Sequence, residues 1–362
     1  MIIDFELAKD IGLATLPGFH KQSLQMTHAI TTCELYNTWI KKAEKRAGKR
    51  IEDFVTLKDT GNAQGTSISG WEKDTTNKVN TDEKSSVNWV GATTNMEYSV
   101  VDIAVNQGSA VEINNMLKSK HQNMYREFAE MLQSKFVLSP TSSSDKNSPH
   151  GLASWLALGT ADSKGAFTGY SGRYNDGAGT TYDLGGIECS STVNPRWASY
   201  YADHDGNLSD TLLSRLFRAI TKTSFIVPLE PKAVDKNTTW GNFRYYTNMN
   251  VLENLEALRR KTDDGISPDL GKHAGTVLYK GVPFVYVEEL DTARATLYGT
   301  DPIYGVNHDY FKLATLAGRG FVLGTPMPRD EQHKIVKVPL DLEYAIRCVN
   351  RQRAGFLISA HA

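Results

Sequence analysis

A chain of 362 residues that is 40% hydrophobic, 10% aromatic and 22% charged has the composition of a globular protein. Its length allows a core divided among two or three subdomains. The 40 basic and 41 acidic residues leave a formal net charge of −1, which excludes a global positive field and confines any nucleic-acid contact to local patches.

Cys33, Cys189 and Cys348 are far apart with no C-x-x-C pairing, which argues for reduced thiols and a cytoplasmic setting, against a disulfide scaffold or a zinc site. The start, Met1-Ile-Ile-Asp-Phe-Glu, lacks the basic region of a secretion signal. No apolar run approaches the roughly 18 residues of a membrane span.

In chain order, residues 24–47 predict a helix closed by the basic run 41–50, with Gly48 as its stop. That run reads as a solvated helix end, or else as a patch facing phosphate or an acidic partner. Residues 58–95 form a polar arm that carries Trp71 and Trp89 yet has too little apolar surface to offset its own ordering entropy. Such a segment is expected to be mobile or held by something else, a neighbouring subunit above all. The arm runs into a strand-like stretch, 96–105.

Ser109-Ala-Val-Glu112 has the form of a capping box. Behind it Ile113, Met116, Leu117, Met124, Tyr125, Phe128, Leu132 and Phe136 keep helical spacing and predict one strong helix. A low-complexity loop at 139–149 and a Gly-rich region at 151–186, interrupted by the apolar run 152–158, lead to a second helix at 208–220. The remainder reads as mixed α/β. A strand at 225–228 precedes a helix at 250–261 and a turn at 263–266. A strand pair at 277–287 follows, then strands at 303–307, 321–323, 335–340 and 342–349, and an apolar run at 355–358.

Chemistry-bearing patterns fare poorly. Asp203-His-Asp-Gly-Asn-Leu-Ser-Asp210 alternates oxygen side chains, but Leu208 and Ser214 stand where a calcium loop needs Gly and Glu, so a polar turn before the helix is the better reading. Gly318-Arg-Gly-Phe-Val-Leu-Gly324 lacks dinucleotide spacing and reads as turn glycines. Gly65-Thr-Ser-Ile-Ser-Gly70 misses the nucleophile-elbow pattern by one position. His121 and His308 read as surface or satisfied polar residues. Glu288 and Glu289, if neighbours in a strand, face opposite sides and make no acid/base pair. No catalytic residue, cofactor site or metal site emerges; Trp197 beside Tyr200-Tyr201 is the one aromatic cluster that invites a cleft.

The order of these elements resembles the major capsid protein of tailed bacteriophages, the Hong Kong 97-like fold. The polar arm is similar to that family's extended loop, and the helix at 109–136 to its spine helix. Pro149-His-Gly-Leu-Ala-Ser-Trp155 is similar to the turn after that helix, and Val193-Asn-Pro-Arg-Trp197 to a segment before the next one. Tyr279-Lys-Gly-Val-Pro-Phe-Val285 resembles the apical-domain strand pair, Asp301-Pro-Ile-Tyr-Gly-Val306 the aromatic-Gly strand after it, and Arg347-Cys-Val-Asn-Arg-Gln-Arg-Ala-Gly-Phe356 the basic-apolar return strand.

The resemblance implies an α+β fold with an N-terminal arm at 1–55, an extended β-hairpin loop at 56–105 and a peripheral domain at 106–215 holding the spine helix and the Gly-rich insertion. An axial domain at 216–330 and return strands of the peripheral domain at 331–362 complete it. It implies a structural protein, not an enzyme, that self-assembles into homo-pentamers and homo-hexamers of an icosahedral phage head around double-stranded DNA. Such a protein is assembled in the host bacterial cytoplasm and ends in the virion. No cofactor and no membrane are expected.

Its partners would be itself, a separate scaffolding protein (no fused scaffolding segment precedes the arm, and Met1 opens the chain), a portal, decoration proteins, and DNA touched non-specifically. Inter-subunit contacts are expected at Trp71, Lys73, Glu83, Trp89, Tyr304 and Arg319. Deleting residues 62–92 is expected to leave a folded monomer that no longer assembles. Lys73, Lys78 and Lys84 lie in the arm, but no partner Asn is identifiable, so covalent crosslinking is not carried over. The alternatives are an encapsulin-like nanocompartment shell and a soluble carbohydrate-active hydrolase.

Overall fold

The computed structural model describes residues 33–57, 82–105, 110–140, 145–158, 168–171, 183–189, 194, 196–204, 210–223, 242–262, 277–280, 282–293, 297–329 and 332–360. In chain order these form α1 (Glu34–Lys41), β1 (Glu44–Arg46), β2 (Ile51–Thr56), β3 (Asp82–Val87), β4 (Val90–Ser99), α2 (Val100–Val105), α3 (Ala110–Val137) and α4 (Leu152–Trp155). Next come β5 (Thr168–Ser171), β6 (Asp183–Leu184), β7 (Ile187–Glu188), β8 (Ser199–Asp203), α5 (Asp210–Lys222), β9 (Phe243–Thr247) and α6 (Met249–Thr262). The last third holds β10 (Leu278–Tyr279), β11 (Val282–Tyr286), a 3₁₀ turn (Glu288–Leu290), β12 (Thr300–Asn307), β13 (Phe311–Leu316), β14 (Val322–Leu323), β15 (Met327–Arg329), β16 (Gln332–Cys348), α7 (Arg351–Ala354) and β17 (Gly355–Ala360). Two compact units result: 1–49 with 89–136 and 313–345, and 50–88 with 137–312 and 346–362.

The first unit is built on β16. Ten of its residues, from Ile335 opposite Ser99 to Tyr344 opposite Val90, pair with β4, while β14 and β15 pair along its other edge. Val336, Val338, Leu340, Leu342 and Tyr344 alternate into the core, as a strand with one buried face requires. The expected stripe of α3 is buried from Leu117 through Met124, Phe128 and Leu132 to Phe136. Phe136 is a hub, with ring centroids 5.0 Å from Trp39, 6.3 Å from Tyr36 and 5.8 Å from Tyr344.

Two expectations fail in this unit. The helix foreseen at 24–47 is, over its described part, only α1; the chain then turns into β1, which pairs parallel to β13 (Glu44 opposite Ala314, Arg46 opposite Leu316). Sheet pairing, extended by the Ala317 N–H donating to Arg46 O at 2.8 Å, overrides the helix propensity of a Lys/Ala/Glu run. The strand-like stretch 96–105 stops at Ser99. There Ser99 Oγ accepts from Val101 N at 3.1 Å and Asp102 Oδ2 accepts from Ser99 N at 3.3 Å, a reciprocal cap that starts α2. Ser109 and its proposed box lie outside the described residues.

The second unit carries a seven-stranded mixed sheet in the order β10-β11-β9-β12-β17-β8-β5. On one face α5 and α6 bury Leu212, Leu216, Ala219, Ile220, Val251 and Leu255 against Tyr200, Tyr245, Phe284, Ile303, Phe356 and Ile358. The sheet's other face carries Tyr201, Tyr246, Tyr304 and Leu357, which sit side by side across β8, β17, β12 and β9. Gly305 of β12 makes room for Phe356 opposite it; a Cβ there would lie 2.4 Å from the ring.

The segment 347–356, expected as one return strand, is broken. β16 ends at Cys348, Asn350 Oδ1 accepts from Arg353 N at 3.2 Å, and the short α7 intervenes before β17. Burial of Arg351 explains the break, because the turn aims its guanidinium at two carbonyls, Nε to Trp155 O at 2.9 Å and Nη1 to Trp197 O at 3.1 Å. Glu288 and Glu289 also lie in a 3₁₀ turn, not in a strand. The strand expected at 225–228, the turn at 263–266 and the glycine run at 65–70 lie outside the described residues.

Candidate self-assembly surface

β2 and β3 form an antiparallel hairpin in the register Ile51–Val87, Asp53–Ser85, Val55–Glu83. Alternation assigns its two faces. Ile51, Val55, Ser85 and Val87 are buried, and the same face holds Asp53 and Glu83. It is tied to its own unit at three points. Arg347 Nη1 donates to Asp53 Oδ2 at 2.7 Å, with side-chain exposures of 5% and 16%. Asn194 Nδ2 donates to Glu83 Oε2 at 2.9 Å, and Ser86 N donates to Gly185 O at 2.6 Å. Asn194 reaches Glu83 from a left-handed backbone (φ 48°), a conformation that Asn tolerates.

The base of the arm is therefore held by its own chain. Composition alone undervalued it, because the partners of Asp53, Glu83 and Ser86 are polar and distant in sequence.

The opposite face of the hairpin is exposed and mixed. Phe54 is 73% exposed, with Lys84 Nζ 5.2 Å from its ring centre. Glu52 pairs with Arg50 at 2.7 Å and Lys84 at 3.5 Å; the Arg50 hydrogen bond and charge, with help from Lys84, hold its carboxyl below the usual range. Thr56 Oγ1 donates to Asp82 Oδ1 at 2.7 Å where the described hairpin ends. Phe54 is the most exposed of the large apolar side chains among the described residues.

The expected contact residues scatter. Trp71 and Lys73 lie outside the described residues. Glu83 turns inward to Asn194, as above. Trp89 sits between β3 and β4, and its Nε1–H donates to Gly48 O at 2.9 Å, so its polar edge is engaged within the first unit. Arg319 is exposed in the turn after β13, where Gly318 takes φ +80° and the Arg319 carbonyl accepts from Glu343 N at 3.0 Å.

Tyr304 is a correction: at 0% exposure in the centre of the sheet, edge-on to Tyr298 at 6.4 Å, it is a core residue that touches no surface. Phe54 was missed, although its signal is present. In Ile51-Glu-Asp-Phe-Val-Thr56 it is the apolar residue on the polar parity.

The aromatic cluster that invited a cleft is filled. Trp197, Tyr200 and Tyr201 are all buried, with Trp197 edge-on to Trp155 at 6.2 Å and its Nε1–H donating to Leu184 O at 2.9 Å. His121 and His308 are buried, not surface residues. His308 Nε2 shares a 2.9 Å hydrogen bond with the Tyr246 hydroxyl, and His121 stands 4.9 Å from the Tyr125 ring. Asp203, at the end of β8, is buried; 205–209 lie outside the described residues.

This architecture is the α+β fold of phage capsid proteins. The chain is similar to the capsid asymmetric unit of cyanophage A-1(L), with a TM-score of 0.56 at 12% identity over 90% of this chain and 92% of that one. It is similar also to the capsid of a native GTA particle, with a TM-score of 0.52 at 12% identity, covering 90% and 91% of the two chains. The capsid of Myoviridae phage XM1 gives 0.50 at 12% identity, covering 89% and 91%. No protein-family model and no curated protein matches the sequence.

Proposed function

We propose that the chain is a major capsid protein that self-assembles into pentamers and hexamers of an icosahedral phage head enclosing double-stranded DNA. The observation that carries this reading is the likeness along nearly the full length of both chains to the capsid of cyanophage A-1(L). The match spans 90% of this chain and 92% of that one, more than a shared substructure would cover. The hairpin supports it. A hairpin fixed at its base to its own unit, with an exposed Phe54 among charges, is built to present its outer face and everything beyond Thr56 and Asp82 to another copy.

In this reading α3 is the spine of a peripheral domain, the strands β9 to β12 of the seven-stranded sheet belong to an axial domain near the capsomer centres, and Trp71 and Lys73 ride on the arm toward the neighbour. Trp89 and Arg319 lie along the same contacts. The shell works with a separate scaffolding protein, a portal and decoration proteins, and touches DNA non-specifically, since a net charge of −1 supplies no broad positive surface. It is assembled in the host cytoplasm and ends in the virion.

The test is to purify the chain, with and without scaffolding protein, and examine it by negative-stain microscopy and size exclusion with light scattering. Capsomers, tubes or shells of megadalton mass are expected. A stable monomer or dimer under both conditions would sink the reading.

A further inference from the structure

We propose that the groove beside α5 receives residues 3–7 of a second copy's N-terminal segment. This rests on the shell-forming reading above. The groove, of about 580 Å³, has an apolar floor of Leu213, Phe217 and Tyr279 and a cationic rim of Arg218 and Lys222. Helix α5 commits its inner stripe, Leu212, Leu216, Ala219 and Ile220, to the sheet. Phe217 lies on the flank of that stripe, one turn from Leu213, and is 52% exposed. With Leu213 and Tyr279 beside it, Phe217 forms an apolar floor that is partly open to solvent.

The turn between β10 and β11 adds a third cation. Lys280 adopts a left-handed backbone (φ 50°), and its ammonium stands 3.9 Å from the centre of the Phe217 ring and 6.0 Å from that of Tyr279. Among the described residues, none that lines the groove is acidic. The ligand chemistry that fits is an apolar face with carboxylates beside it.

The chain itself contains that chemistry. In Ile3-Asp-Phe-Glu-Leu7 three apolar residues alternate with two carboxylates. Bound in extended form, Ile3, Phe5 and Leu7 would share one side and Asp4 and Glu6 the other. Among the residues outside the described set, no other run alternates in this way. The apolar side matches Leu213, Phe217 and Tyr279, and the carboxylates match Arg218 and Lys280 at the rim. In a closed symmetric assembly one such contact would repeat around every copy.

The experiment uses the full chain with benzoylphenylalanine, a photocrosslinking residue, in place of Phe5. Light and heavy-isotope chains are mixed before assembly, irradiated, and mapped by mass spectrometry. Crosslinks from position 5 to the peptide spanning residues 213–222, joining heavy to light chains, are expected. Arg218→Glu with Lys280→Glu should cut their yield about tenfold, the effect of roughly 1.4 kcal/mol, and Asp4→Lys with Glu6→Lys should restore it.

Particles that form with crosslinks only elsewhere, only between chains of one isotope, or insensitive to the charge reversal overturn this contact and leave the shell reading standing. Chains that never associate overturn both.

Discussion

Arg347 Nη1 and Asp53 Oδ2, 294 positions apart in sequence, meet at 2.7 Å with both side chains almost withdrawn from solvent. The pair closes the hairpin of β2 and β3 onto the strand that leads back into the second unit. Removing one partner strands a buried charge, so Arg347→Met alone should cost about 3 kcal/mol, and adding Asp53→Leu should recover most of it. Urea denaturation gives the energies, and amide exchange across 51–56 and 82–87 shows whether the hairpin opens first. A single variant no less stable than the wild type would mean that the pair does not hold the hairpin.

A second prediction concerns Gly305 and Phe356. A methyl group on Gly305 would sit 2.4 Å from the Phe356 ring in the middle of the sheet. Gly305→Ala should therefore lose about 2 kcal/mol through overpacking, and Phe356→Leu in the same chain should return part of the loss although it is itself a truncation. Double-mutant thermal denaturation reads the coupling. Strictly additive costs would show that the ring moves aside freely.

Alkaline pH should unfold the chain by a traceable route. Burial pushes Tyr98 and Cys348 up to about 12 and Tyr36, Tyr201, Tyr245 and Tyr344 higher still. The unfolded chain releases those protons near pH 8.5 for cysteine and about 10 for tyrosine. The native state thus holds protons that the unfolded state has lost. This contribution is intact at pH 7 and falls as pH rises through about 9 to 12. The urea midpoint should drop between pH 9 and pH 11, and tyrosinate absorbance should appear together with the loss of near-ultraviolet circular dichroism. Tyrosinate appearing well before the dichroism changes would contradict the burial.

The arm offers a separable test of assembly. The deletion first suggested by composition, 62–92, would remove β3 and the start of β4, both of which are paired within the chain. Deleting 60–79 and joining the ends through a short Gly-Ser linker should leave the urea midpoint nearly unchanged while abolishing particles. Phe54→Ser should act the same way more gently, with a stability change within about 0.5 kcal/mol and fewer or smaller assemblies by light scattering. Wild-type particle yield from both variants would remove the hairpin from the interface.

The legible parts of the fold were those whose partners lie close in sequence or whose pattern is long. The stripe of α3, the alternation from Val336 to Tyr344 and the strand pair around Lys280 all announce themselves locally. The run at 96–105 did not, because an apolar stretch suits a strand and a helix equally; the deciding signal was the cap formed by Ser99 and Asp102. Tyr304 was misplaced because an aromatic in a strand suits a core and an interface alike. The hairpin's inner face was illegible for a stronger reason. Glu83 and Asn194 are 111 positions apart, and nothing near either residue names the other.

The order of strands in the seven-stranded sheet carries a consequence for synthesis. β17 lies between β12 and β8, and Tyr201 meets Ser359 across 158 positions of chain. Until the ribosome has passed residue 360, β8 and β12 each expose an unsatisfied edge toward the gap between them. A chain truncated before Gly355 would keep both edges open and would be a target for aggregation or proteolysis. Incomplete chains thus lack the strand that joins the two halves of the sheet.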